Sequence, residues 1–238
     1  MLTHEKVQNK IDEIHDAVKN KAQRITVDDY HHTYHTTIIK DVTLDGLWME
    51  FGVYRGRSLT TFAETTDVKI YGFDSFGGLP EHWDSSNPKG CYSLAGITPE
   101  GAISGSNEDN PGMHSSAPTI TTKPWPKNIE LVKGLFEYSI PPFLEKTGGD
   151  AAFIHIDSDL YSSCKTVFNT LKDRIKDGTV IAFDELCDYP DYRDGEIKAF
   201  AEFLIENNWD YECTYHQHFA KYDPHAYSQA CFIIRSKQ

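Results

Sequence analysis

The sequence predicts an α/β fold built on a seven-stranded, mostly parallel sheet. Three observations carry that reading. Short apolar runs rich in Ile, Val and Phe recur along the chain, as buried parallel strands require. From residue 47 onward, helical patterns alternate with them. The last two runs follow one another with no helical pattern between them, which marks an antiparallel hairpin at a sheet edge. A chain of 238 residues has ample length to bury the core of one such domain, and residues 1–238 are read as a single domain.

The elements follow in order. Val7, Ile11, Ile14 and Val18 recur at helical spacing, so the N-terminal segment reads as an amphipathic helix. Residues 24–45 are polar and hold His31, His32 and His35, of which the pair at i and i+4 could bind a metal on a helix, although solvated or packed histidines are commoner. Residues 47–51 form a strand candidate, 52–58 a turn and 59–65 a short helix. Residues 69–74 and 129–133 are the second and third strands. The helix expected over 137–146 contains Pro141-Pro142, which should break or delay it. Residues 152–157 and 179–184 are the fourth and fifth strands, and 160–176 is long enough for one crossover helix between them. In residues 193–207, Ile197, Phe200, Ala201 and Leu204 share a helical face. Residues 209–215 and 227–235 complete the hairpin.

One stretch resists this alternation. Residues 75–127 are rich in Gly, Pro, Ser and Asn, with Trp83, Tyr92 and Trp125 interspersed. A loop of that length in a compact domain is functional or disordered. Its place just after the second strand predicts a lid over the substrate, to which residues 1–45 add an N-terminal helix and lid segment.

Composition narrows the partners. The net charge is −13 with a pI near 5.2, and no Lys/Arg run occurs, which argues against nucleic acid and anionic membranes. No apolar stretch approaches the roughly 20 residues that span a bilayer, and the N-terminal segment lacks the apolar core of a signal peptide. Five scattered cysteines without a CxxC pair read as reduced thiols, neither a disulfide frame nor a zinc site. The expected location is the cytoplasm. Whether the N-terminal apolar stripe packs on its own domain or on a second copy in a homodimer stays open at this stage.

The residues that suggest chemistry sit at strand ends. One apolar run closes in Asp157-Ser158-Asp159 and another in Asp184-Glu185. Neighbouring parallel strands place their C-terminal ends on one edge, where open α/β sheets bind ligands. Carboxylates brought together there repel one another unless a cation sits among them. Two unrelated helix caps would be the plainer explanation, and Asp159 or Asp184 alone could serve as one. The segment Glu50-Phe51-Gly52-Val53-Tyr54-Arg55-Gly56-Arg57-Ser58 supplies a glycine turn that lets a ligand approach the backbone. Glu50, at the end of a buried strand, needs a partner, and a cationic cofactor group could be it. Asp74 stands where an acid accepts hydrogen bonds from ribose hydroxyls, an offset that NAD enzymes share.

Five βα units closed by a hairpin are the element order of the Rossmann-like class I methyltransferase fold. Within that order EFGVYRGRSL, YGFDSFGGLPEHW, LVKGLFEYSIPPFL, FIHIDSDLYSSCKTV and VIAFDEL–YPDYRDGEIKAFAEFL resemble the macrocin O-methyltransferase (TylF-like) family. The resemblance runs from about residue 47 to residue 204 and is weakest before 45 and in 84–125. It implies an S-adenosylmethionine enzyme that methylates hydroxyls, including those of sugars. Glu50 and Gly52 would then lie at the methionine end of the cofactor, with Tyr54, Gly56 and Ser58 in the same turn. Asp74 would bind the ribose, Ser75 would lie beside the adenosine, and Gly134, Leu135 and Phe136 would border the adenine. Asp157, Asp184 and Glu185 would hold a divalent metal, Mg2+ in most such enzymes, with Asp157 also contacting the cofactor and serving catalysis. Asp159 would be the general base. Many relatives carry Asp where this chain has Glu185.

The implied function is metal-dependent O-methylation of a small hydroxylated acceptor, a sugar or glycosylated natural product. A catechol-type phenol is the alternative acceptor, since the same metal serves vicinal aromatic hydroxyls. An NAD(P) oxidoreductase is disfavoured by the missing third glycine and by the acid trio. A non-catalytic nucleotide-sugar or metal-binding module is a further alternative. Of the remaining residues, His155 reads as a core histidine inside its strand. Tyr189, Tyr192 and Arg193 either line an acceptor site or, for Arg193, form surface charge, and His216 and His218 end a strand. Cys164 and Cys187 have no base beside them in sequence, so nucleophilic catalysis is not expected.

Overall fold

The computed structural model describes residues 2–26, 32–96, 98, 125–219 and 227–237. Their strands are β1 (Gln23–Arg24), β2 (Leu47–Phe51), β3 (Ile70–Asp74), β4 (Ile129–Lys133), β5 (Ala151–Ile156), β6 (Val180–Cys187), β7 (Trp209–Phe219) and β8 (Tyr227–Ser236). They form one sheet in the order β1-β7-β8-β6-β5-β2-β3-β4. Only β8 runs antiparallel to its neighbours, β6 and β7. The order therefore bears out the mostly parallel sheet with a C-terminal hairpin. The count differs: eight strands stand where seven were expected. The extra one, β1, pairs Gln23 and Arg24 with Tyr215 and His216 of β7. Two polar residues at a sheet edge leave no periodic signal.

Helices cover both faces: α1 (His4–Asn20), α2 (His32–Ile38), α3 (Arg57–Thr65), α4 (Phe136–Lys146), α5 (Tyr161–Leu171) and α6 (Glu196–Glu206). Strand side chains alternate between the faces. Met49, Phe51, Ile154 and Ile156 pack under α4, α5 and α6. Trp48, Ala152, Phe153 and Ala182 pack with Tyr34 and Ile38 of α2 and Leu59 and Phe62 of α3. Burial on both sides is why β2, β5 and β6 read as continuous apolar runs.

The N-terminal helix behaves as its pattern predicts. Thr3 caps α1 by accepting from the Lys6 N–H at 3.3 Å. Val7, Ile11, Ile14 and Val18 are buried, against α6 and β7. The Arg193 guanidinium donates to Gln8 and Asp12, while His15 and Lys19 reach Asp188 beyond the end of β6. The stripe is thus covered by its own chain, and Arg193 is the clasp that fastens it.

Two expectations change. The helix α4 runs through Pro141 and Pro142 instead of breaking there. An interior proline costs about 3 kcal/mol or more, and burial of Ile140 and Phe143 against the sheet offsets it. The strand β6 also extends past residue 184, so Asp184 and Glu185 lie within it, where its pairing with β8 shifts register. A bulge there re-aims side chains at the sheet edge.

Because Ile14 has no exposed surface, Ile14→Ala should lower unfolding free energy by about 2–5 kcal/mol in a urea titration. A loss below about 0.5 kcal/mol, the level of a surface substitution, would contradict the packing of α1.

Candidate active site

The chain's strand order reverses between β2 and β5, and the crevice above their C-terminal ends is where such a sheet takes ligands. Gly52 makes the closest approach. Its φ is +93°, and a Cβ there would lie 1.6 Å from the Asp157 carbonyl oxygen, so no other residue fits. Asp74 braces the same turn. Its Oδ2 accepts from the N–H groups of Val53 (2.9 Å) and Tyr54 (2.8 Å), and its Oδ1 from that of Phe76 (2.7 Å). Gly56 begins α3 at φ +75°, and the ring of Trp125 fills the space a Cβ would need.

A cavity of about 430 Å³ opens beside this turn. Its wall includes Gly52, Tyr54, Asp74 and Ser75 on one side, and Gly134, Leu135 and Phe136 on another. Asp157, Asp159 and Glu185 also line it, whereas Asp184 does not. Gly78, Leu79, Pro80, Glu81 and Tyr92 complete it from the first part of the 75–127 insertion. The Ser162 hydroxyl donates to Glu81 at 2.5 Å and ties that segment to α5. Residues 97 and 99–124 of the insertion lie outside the described residues.

Three expected cofactor contacts, Glu50, Gly56 and Ser58, are not in the cavity wall. Glu50 shares a strand face with Trp48 and points toward α2 and α3. Fully buried, it accepts from the Ser58 hydroxyl at 3.0 Å, and the Nδ1 of His155 lies 3.3 Å from its Oε2, in ion-pair range but not aligned for a hydrogen bond. Burial pushes the Glu50 pKa up to about 8 and the His155 pKa down to about 4. His155 is a core histidine, as its place in the strand suggested.

The acids converge. Asp157, Asp184 and Glu185 each offer an oxygen within 4.8 Å of the others. Register explains this: His155 pairs with Ala182 and Ile156 with Phe183 across β5 and β6, so Asp157 and Asp184 emerge side by side. Asp159 takes a left-handed conformation, φ +62°. Burial first, then the neighbouring acids, holds Asp157, Asp159 and Glu185 well above the ordinary carboxylate range. Glu185 Oε2 is buried with no hydrogen-bond partner. Hard oxygen donors gathered in this way suit a cation such as Mg2+.

Some participants had no obvious mark in the sequence. Glu196, fully buried at the start of α6, accepts from the Ser158 N–H (3.1 Å) and hydroxyl (2.8 Å), and burial raises its pKa to about 7. The only hint was an acid directly after Gly195, an ordinary helix start. His35 Nε2 lies 3.7 Å from Asp184 Oδ1, whereas His32 is exposed and His31 lies outside the described residues. Tyr189, Tyr192, His216 and His218 are not in the cavity wall, and His218 Nδ1 is 2.9 Å from the Ser228 hydroxyl. Among the described residues, no helix is long and apolar enough to cross a membrane.

Known proteins give the same fold. CalS11, a calicheamicin methyltransferase described in its apo structure as a TDP-rhamnose 3'-O-methyltransferase, shares 21% identity; 97% of this chain and 94% of that one are covered, with a TM-score of 0.56. The O-methyltransferase NovP shares 17%, covering 87% and 79%, with a TM-score of 0.55. An O-methyltransferase from Bacillus cereus, solved in complex with SAH, shares 13%, covering 98% and 92%, with a TM-score of 0.52. At these identities the likeness is one of fold. No curated protein sequence matches the chain. A family model described as a methyltransferase domain matches residues 49–186, the span from β2 through Glu185, which removes the oxidoreductase reading. With that match over more than half its length, the chain belongs to the methyltransferase-domain family and carries its class I fold.

Proposed function

We propose that the protein is a metal-dependent S-adenosylmethionine O-methyltransferase acting on a hydroxyl of a sugar or glycosylated natural product, of the macrocin O-methyltransferase (TylF-like) kind. The observation that carries this reading is the convergence of Asp157, Asp184 and Glu185, of which Asp157 and Glu185 line the same cavity as the Gly52 turn. The likeness to CalS11, described as a TDP-rhamnose 3'-O-methyltransferase, supports the acceptor class.

The residues present fit both groups. The Gly52 turn is a cradle that a Cβ would fill, and the trio is a hard-oxygen donor set with one orphaned oxygen. Gly52, Tyr54, Asp74 and Ser75 would hold the methionine and ribose portions of the cofactor, and Gly134, Leu135 and Phe136 its adenine. Asp157, Asp184 and Glu185 would hold the cation, which when bound lowers the pKa of an acceptor hydroxyl. The sulfonium methyl needs no further activation, so the protein's work is placement and proton removal. Asp159, left-handed at the cavity wall, would take the hydroxyl proton as the methyl transfers. Glu196 fixes the loop that carries Asp159 through its two bonds to Ser158. The first part of the insertion, with Glu81 and Tyr92, narrows access for water.

Calorimetry on the full chain should show binding of S-adenosylhomocysteine and none of NAD, and the reverse pattern would overturn the reading. EDTA should abolish turnover and magnesium restore it; unchanged turnover in EDTA would remove the metal and leave the fold. Asp159→Asn should slow the chemical step by about 10²–10⁴-fold with little change in acceptor KM. Near-normal turnover in that variant would reduce Asp159 to a loop residue.

The pH dependence of stability follows from the buried acids. Glu50 and Glu196 titrate near 8 and 7 in the folded chain, against about 4.3 for Glu when unfolded. Their stabilising protons are fully bound below the unfolded value and are lost as pH rises through the folded one. The melting temperature of metal-free protein should therefore fall between about pH 5 and pH 8. A melting temperature that climbs steadily across that window would contradict it.

A further inference from the structure

Asp184 does not stand alone within its strand. It is 6% exposed, and two fully or nearly fully buried polar side chains reach it from different elements: Gln229 of β8 (0% exposed) and His35 of α2 (2%). The Gln229 amide Nε2 donates to Asp184 Oδ1. His35 Nε2 lies 3.7 Å from the same oxygen. The His35 ring is wedged edge-on against Phe62 and His155, each with centroids 5.1 Å away, so its orientation is set by packing. Gln229 is fixed by the β7–β8 ladder, where it stands opposite Gln217.

A carboxylate has two oxygens, and rotation about its last bond decides which one a cation meets. Donors that hold one oxygen settle that choice before the cation arrives, and carboxylate ligands of metals are held by such outer partners. We infer that Gln229 and His35 are positioning residues for Asp184, Gln229 holding Oδ1 through its hydrogen bond and His35 closing the space beside that oxygen, so that Oδ2 is the oxygen turned toward Asp157 and Glu185. This rests on the metal reading proposed above. It also gives the N-terminal segment a task, because α2 reaches the metal site through His35 and the affinity for the cation depends on its seating.

The test is Mn2+ calorimetry on the full-length protein. Gln229→Met keeps the volume and removes the donor, His35→Leu removes the imidazole, and His35→Gln restores a polar side chain beside Asp184. Gln229→Met and His35→Leu should each weaken Mn2+ binding by about 10–100-fold, with S-adenosylhomocysteine affinity in EDTA unchanged. His35→Gln should recover most of the loss, which a purely structural role would not produce. The two variants act from separate elements, so either one that stays folded, as shown by its intact S-adenosylhomocysteine affinity, decides the matter. Folded variants that bind Mn2+ as the unaltered protein does would overturn the inference alone. Failure of the unaltered protein to bind Mn2+ would overturn the metal reading and the inference with it.

Discussion

The parallel register of β5 and β6 governs the site. His155 opposite Ala182 and Ile156 opposite Phe183 set Asp157, just past the end of β5, beside Asp184 within β6. A slip of one residue would turn Asp184 to the other face and scatter the group. Register in turn is fixed by burial on both faces, since Ile154 and Ile156 face one core cluster and Phe153 faces the other. The apolar interior therefore specifies where the charges meet, although none of those charges takes part in the core.

Burial first, and then like charges held this close, disfavour the ionised acids in the folded chain and raise the pKa values of Asp157, Asp159 and Glu185. The surroundings do not relieve that strain with a lysine or arginine; among the described residues, the cavity wall contains neither. Instead they hold the acids in place through neutral donors. Ser158 is pinned to Glu196 and Asp184 Oδ1 to Gln229, while backbone N–H groups brace Asp74. Such an arrangement spends stability on geometry, and a bound dication would return it.

Much of this was legible in the sequence because it rests on short-range pattern. The strand runs, the α1 stripe of Val7, Ile11, Ile14 and Val18, and the acids closing two neighbouring runs follow from periods of 2 and 3.6 and from strand-end logic. The opaque parts depend on contacts between distant segments. Gln229 and Glu196 look like ordinary strand and helix-start residues, and His35 like half of an i, i+4 histidine pair, until the fold brings them to Asp184 and Ser158. Glu50 was read as facing the cofactor from its place at a strand end, and the structure buries it against Ser58 and His155, outside the cavity wall. The helix α4 survives Pro141 and Pro142 because tertiary burial outweighs local propensity, and β1 is too short to carry a pattern.

The central claim is that the three acids form one cation site and not a coincidence of strand ends. Anomalous diffraction from a crystal soaked in Mn2+ with S-adenosylhomocysteine bears on it most directly. A single strong peak about 2.1 Å from carboxylate oxygens of Asp157, Asp184 and Glu185 is the result the account predicts. Well-ordered carboxylates with no peak among them, or a peak bound elsewhere in the cavity, would contradict it.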